Sequence, residues 1–135
     1  MSEQAGPFDL DDMRLFLTTA GEAHPRPVTD DFYEALERDF ATVRGGILIQ
    51  RFSFDAPWGT WEMHPQGDEF VYLLDGETDL ILRHPGGERA LRLAIPGCYA
   101  LVPRGTWHTA RPLAPTTLLF VTPGDGTENR VQPPA

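Results

Sequence analysis

The sequence predicts an all-β fold, a sandwich or barrel of short strands with a short helical N-terminal arm, and three observations lead there. From Ile47 onward, apolar and polar residues alternate in short runs, with a turn signal every eight to twelve positions. Thirteen glycines and thirteen prolines in 135 residues, spread without a period, divide the chain into many short elements. Before Gly45 the period differs: Phe32, Leu36 and Phe40 repeat at i, i+4 and i+8, the apolar stripe of a helix. A chain of this length closes around one core. The expected organisation is an arm over residues 1–45 that is not an independent domain, a β body over 46–123 and a flexible tail over 124–135.

The elements follow in order. Met1 to Pro7 reads as a loose terminus. Asp9, Asp11 and Asp12 precede the apolar run from Met13 to Leu17, which suits the acidic start of a short first helix ended by Gly21. Glu22 to Pro27 reads as a connection, with His24 as a loop residue. Thr29 or Asp31 then caps a second helix through about Phe40, with Asp31 and Glu34 at capping-box spacing. Strands are expected over 47–54, 60–64, 69–74, 78–83, 89–95, 99–102, 106–111 and 116–122, with tight connections at Asp75-Gly76 and Pro85-Gly86-Gly87. Past Pro123 the chain is polar, proline-rich and nearly free of large apolar groups, the composition of a flexible tail.

Charge and cysteine content remove several classes of function. Twenty acidic residues against eleven basic ones, a net charge of -9, repel nucleic acid and anionic membranes. The arginines are scattered and make no basic block. Cys98 is the single cysteine, which excludes an internal disulfide and a thiolate zinc cluster. Beside Gly97 at the start of an apolar strand, it reads as a small core residue. No apolar run approaches the ~20 residues of a membrane span, and the acidic N-terminus lacks a signal-peptide pattern. The expectation is a soluble, cytoplasmic protein.

Two stretches carry chemistry. In the first, WEMHPQGDEFVYLLDG from Trp61 to Gly76, Glu62 and His64 stand two apart and project to one face of a strand, while Trp61 and Met63 project to the other. A turn over Pro65 to Asp68 returns Glu69 beside them, with Asp68 pointing away as a surface acid. In the second, GCYALVPRGTWH from Gly97 to His108, Pro103 and Gly105 make a turn and His108 follows, with Trp107 on the opposite face. His64, Glu69, His108 and Glu62 together suit a first-row divalent ion with an open position. Val71 and Leu73 share the face of Glu69 and are expected as pocket walls, with Leu82 and Phe120 as further candidates. Arg51, Arg83 and Arg104 are candidates to meet a substrate carboxylate, although a solvated surface role suits each.

These stretches resemble the paired motifs of the cupin superfamily, G(X)5HXH(X)3,4E(X)6G and G(X)5PXG(X)2H(X)3N. His64, Glu69 and Gly76 match the later half of the first motif at its spacing. Gly97, Pro103, Gly105 and His108 match the second without a gap. Three positions depart: Glu62 stands where the family has its first histidine, Ala56 where it has glycine, and Pro112 where it has asparagine. The resemblance covers roughly Ile47 to Thr122 and implies a double-stranded β-helix, or jelly-roll, barrel.

For the site, the resemblance implies one divalent transition ion, zinc, iron, manganese or nickel, held by His64, Glu69 and His108. Glu62 is either a fourth ligand or a catalytic base taking a proton from bound water. Without it the set is a two-histidine, one-carboxylate triad. The implied function is a small metal-dependent enzyme acting on a small organic molecule, with dioxygenase, decarboxylase and isomerase chemistry all open. The alternative is a barrel that binds or senses a metal or small ligand without turnover. The resemblance also implies a homodimer. The Phe32, Leu36 and Phe40 stripe supplies a surface for that or packs on its own chain.

Overall fold

A computed structural model describes residues 5–134; of the loose terminus expected at the start, residues 1–4 lie outside the described residues. Eleven strands and one helix follow in the order β1 Met13–Leu17, β2 Ala23–Pro27, α1 Phe32–Asp39, β3 Ile47–Phe54, β4 Trp61–Met63, β5 Glu69–Asp75, β6 Thr78–His84, β7 Gly87–Leu93, β8 Tyr99–Val102, β9 His108–Pro112, β10 Thr116–Pro123 and β11 Glu128–Arg130. All eight strands expected from alternation are present, within a few residues of their expected ends. They form two open antiparallel sheets, ordered β2-β1-β3-β10-β5-β8 and β11-β4-β9-β6-β7. From β3 onward the chain changes sheet at every connection except that from β6 to β7, which form a hairpin. That repeated crossing makes the jelly-roll arrangement, and neither sheet closes into a barrel.

Strict alternation builds the core. On β10, Thr116, Leu118, Phe120 and Thr122 are buried while the residues between them are more exposed, because successive side chains leave a strand on opposite faces. Val71 and Leu73 of β5 meet Leu80 and Leu82 of β6, together with Leu93, Ala100 and Val102, in the layer between the sheets. Each fully buried leucine here contributes about 1.5–3 kcal/mol. Leu82, Val71 and Leu73 thus belong to the inter-sheet core and not to the walls of a pocket.

Three segments differ from the sequence reading. Met13–Leu17 is a strand and not a helix: it pairs with β2 and with β3, placing Leu15 opposite Ile49. Pairing on both sides satisfies its backbone better than a single helical turn would. His24 accordingly lies on β2 and not in a loop, its ring 5.1 Å from that of Phe40. Part of the expected tail forms a strand: β11 pairs with β4, setting Asn129 opposite Glu62. Its three residues are exposed, so its order comes from backbone pairing and not from apolar burial.

The one helix lies where expected, although no side chain caps its N-terminus at Asp31. Its stripe faces its own chain. Phe32 is buried, Phe40 packs on Phe16 at 4.6 Å, and Leu36 lines a cavity. Arg14 lies over the Phe32 and Tyr33 rings, and Arg26 pairs with Asp39 at the helix end.

Gly76 turns the corner between β5 in one sheet and β6 in the other. Its φ is +94°, and an added Cβ would lie 2.2 Å from the Pro115 carbonyl oxygen and 2.7 Å from Thr116 Cα. Both the left-handed backbone and the close neighbour require glycine. Gly76→Ala is expected to lower unfolding free energy by about 2 kcal/mol or more, read as a reduced urea midpoint. An unchanged midpoint would mean that this corner relaxes freely.

Candidate metal centre

The candidate site is assembled from both sheets. Glu62 on β4 stands opposite His108, the first residue of β9. His64 follows just beyond β4, where its carbonyl accepts a hydrogen bond of 2.9 Å from the Gly105 amide and so ties the two sequence motifs together. Glu69 opens β5 in the other sheet, opposite Val102 of β8. Asp68 turns outward as expected and accepts from the Arg104 amide at 2.8 Å, a second tie between the motifs.

All four expected side chains converge. Glu69 Oε2 lies 3.3 Å from His64 Nε2, and Glu69 Oε1 lies 3.1 Å from His108 Nε2. Glu62 Oε1 lies 3.9 Å from both Nε2 atoms. Ligand atoms of Glu62, His64 and His108 all lie within 4.8 Å of one another. His108, Glu69 and His64 are buried, whereas the Glu62 side chain is 34% exposed and faces the cavity.

The hydrogen bonds behind these groups decide which atoms point inward. Thr127 donates its hydroxyl proton to the Gly124 carbonyl at 2.8 Å, so at 2.8 Å from His64 Nδ1 its oxygen accepts. His64 therefore carries its proton on Nδ1. The Thr106 carbonyl, which can only accept, lies 3.1 Å from His108 Nδ1 and assigns the same tautomer to His108. Thr122 donates to Glu69 Oε2 at 2.6 Å and holds the carboxylate with Oε1 toward His108 and Oε2 toward His64. The result is three buried atoms, His64 Nε2, His108 Nε2 and Glu69 Oε1, without a hydrogen-bond partner among the described residues. Their approaches are those of an ion pair but are not aligned for hydrogen bonding.

Buried lone pairs facing one another are costly unless a cation joins them. Two imidazole nitrogens and a carboxylate oxygen, each braced from behind, form the donor set of a divalent transition ion. These residues fit such an ion. Without it, a proton fills part of the role. Burial alone would lower the His108 imidazole, but Glu69 outweighs it and raises it, helped by the Thr106 carbonyl and Glu62. Burial alone would raise Glu69, but the two imidazoles hold its carboxyl down at about 2. Burial pushes Glu62 up, and Glu69 adds to that against the pull of the two histidines.

Sequence reasoning missed Thr122, Thr127 and the Thr106 carbonyl, which touch the site residues from behind. A hydroxyl on a strand carries no motif signal. The cavity beside the centre, about 1200 Å³, is walled by Phe52, Trp58 and Phe120. Phe120 was expected there; Val71 and Leu73 are not among its walls. Trp61 and Trp107 also lie outside it, as alternation required. Of the arginines, Arg51 is held by Asp11 at 2.9 and 2.7 Å, and neither Arg83 nor Arg104 lines the cavity; Arg14 and Arg44 do. Cys98 is partly buried against the core. No helix among the described residues is long and apolar enough to cross a membrane.

No family model and no curated protein matches the chain. Solved structures do. An oxalate decarboxylase from Bacillus subtilis superposes with a TM-score of 0.52 at 17% identity, over 69% of this chain and 25% of that one. Peruvianin-I, a cysteine peptidase from Thevetia peruviana latex, superposes at 0.50 and 18% identity, over 61% of this chain and 54% of that one. A cupin-2 domain containing protein from Shewanella frigidimarina reaches 0.49 at 16% identity, over 57% and 70% of the two chains. The chain thus spans only about a quarter and about half of the first two structures. An oxalate decarboxylase and a cysteine peptidase on one architecture also demonstrate that fold does not determine activity. In its two facing sheets and its pattern of crossings between them, the chain has the cupin fold.

Proposed function

We propose that the chain binds one divalent transition ion through His64, Glu69 and His108 and acts as a small metal-dependent enzyme on a small organic molecule. The observation that supports this most strongly is the set of three buried lone-pair atoms, each braced from behind and each without a partner. When bound, the ion supplies Lewis-acid or redox chemistry at the inner end of the cavity. The B. subtilis decarboxylase is described with Mn(II) centres, and manganese, iron, nickel and zinc all suit the donor set here.

The chain's own residues supply the rest. Phe52, Trp58 and Phe120 give the cavity an aromatic wall. Glu62, at the boundary between centre and cavity and with its carboxyl pushed up by burial, is placed to take and return a proton. Protein purified without added metal is expected to contain about one equivalent of a transition ion, or to take one up on reconstitution. Absence of any stoichiometric ion in both preparations would overturn the metal reading.

Glu62 has its own test. Glu62→Gln keeps the size and removes the base, so the variant is expected to retain the ion and lose about 100-fold or more in turnover across a substrate panel. If the ion leaves with the charge, Glu62 is a fourth ligand instead. Turnover by no substrate at all, in protein that holds its ion, would favour a binding or sensing barrel.

A further inference from the structure

The cavity next to the centre is also lined by a cation, Arg14. Arg14 and Phe16 of β1 share the inner face of their sheet: Phe16 stands opposite Leu48 of β3, Leu48 opposite Thr122 of β10, and Thr122 donates to Glu69 of β5. The centre and the Arg14 end therefore lie on one sheet surface, separated by three strand spacings, on the order of 14 Å. Leu48 and Thr122 stand on that surface between them; Phe120, opposite Gln50, lies beside this line, and Phe52 and Trp58 continue the cavity wall from it, the Trp58 ring centroid 5.8 Å from that of Phe120 and 6.4 Å from that of Phe52.

Acids outnumber bases by nine in this chain, and Arg26, Arg38, Arg51, Arg92, Arg111 and Arg130 each pair with a carboxylate. Arg14 does not, among the described residues. Its guanidinium carbon instead lies 4.7 Å from the centre of the Phe32 ring and 5.7 Å from that of Tyr33, and its N–H groups have no acidic partner within ion-pair distance among the described residues. Arg44 also lines the cavity, and its Nη1 donates to the Ala41 and Val43 carbonyls. Glu37 and Asp125 lie on the same wall and oppose an anion; Asp125 is engaged by the Gly45 amide at 3.1 Å.

We propose that the cavity takes a small monocarboxylate with an apolar, ring-sized body, its carboxylate on Arg14, its body along Phe52, Trp58 and Phe120, and its other end toward Glu62. A guanidinium seated beside aromatic rings presents a fork that matches a carboxylate. The aromatic walls accept a planar apolar body, and a cavity of this kind, apolar with polar groups at its poles, is that of a small-molecule site. This assignment deepens the enzyme reading by naming its substrate class, yet the Arg14 contact does not require the ion.

The test compares 3-phenylpropionate with 3-phenylpropionamide, which differ in charge and little in shape, by calorimetric titration of full-length protein, metal-loaded and chelator-treated. Wild type is expected to prefer the acid by about 10- to 100-fold. Arg14→Met is expected to abolish that preference while leaving affinity for the amide unchanged, and Arg14→Lys to keep part of it. Because Arg14 also braces α1, circular dichroism accompanies each variant. Should Arg14→Met not fold, the acid-to-amide ratio in wild type and in Arg14→Lys still decides. Equal binding of acid and amide by wild type, binding of neither, or an undiminished preference in Arg14→Met would overturn the proposal. A preserved acid preference in protein that never takes up an ion would sink the metal-dependent reading and leave this one standing.

Discussion

Replacing His108 by alanine is expected to abolish the proposed divalent-ion site, with affinity falling by more than about 100-fold, beyond the effect of losing an outer hydrogen-bond partner. His108 is fully buried, and its Nε2 is one of the three unpartnered atoms at the candidate centre. Alanine leaves His64 and Glu69 with a gap between them. It also leaves the Glu69 carboxylate, buried at 2% exposure, with one imidazole neighbour fewer, so the metal-free variant is expected to be less stable by about 3 kcal/mol. The two effects separate experimentally. Ion content and chelator competition read the first, and urea unfolding in the presence of chelator reads the second. Stoichiometric ion with unchanged affinity in His108→Ala would remove His108 from the ligand set.

Much of this was legible in the sequence, for reasons that also explain what was not. A strand buried on one face announces itself by alternation, and β10, with every second residue buried, is the plainest case. The site was legible because its residues sit at turn-anchored spacings, and the Gly105 amide to His64 carbonyl bond is what those spacings produce. Met13–Leu17 misled because an apolar run behind three acids fits a helix start equally well. Only the partners on both sides, β2 and β3, select the strand, and they are not local. The tail misled in the opposite way. Glu128–Arg130 buries nothing, so composition could not reveal a strand held by the edge of β4. The hydroxyls that orient His64 and Glu69 were illegible because they are distant in sequence: Thr122 and Glu69 are 53 residues apart, and threonine on a strand is ordinary.

The tail gives the second large effect. Removing residues 124–135 takes away β11 and Thr127, and with Thr127 the only side-chain partner of His64 Nδ1 among the described residues. Freed from it, His64 can place its proton on either nitrogen and rotate, and any molecule with the proton on Nε2 presents a donor where the ion needs a lone pair. The cut also exposes the edge of β4, on which Glu62 sits opposite Asn129. Ion affinity is expected to fall by at least about 10- to 100-fold, the range for an outer partner that orients a ligand. Thr127→Val separates the causes, since valine keeps the shape and the strand but cannot accept from Nδ1. If the orienting bond dominates, Thr127→Val reproduces most of the loss in a chelator competition assay while urea stability stays close to wild type. If Thr127→Val binds the ion like wild type and only the truncated chain is impaired, the tail acts by bracing β4, and the assigned tautomer of His64 does not depend on Thr127.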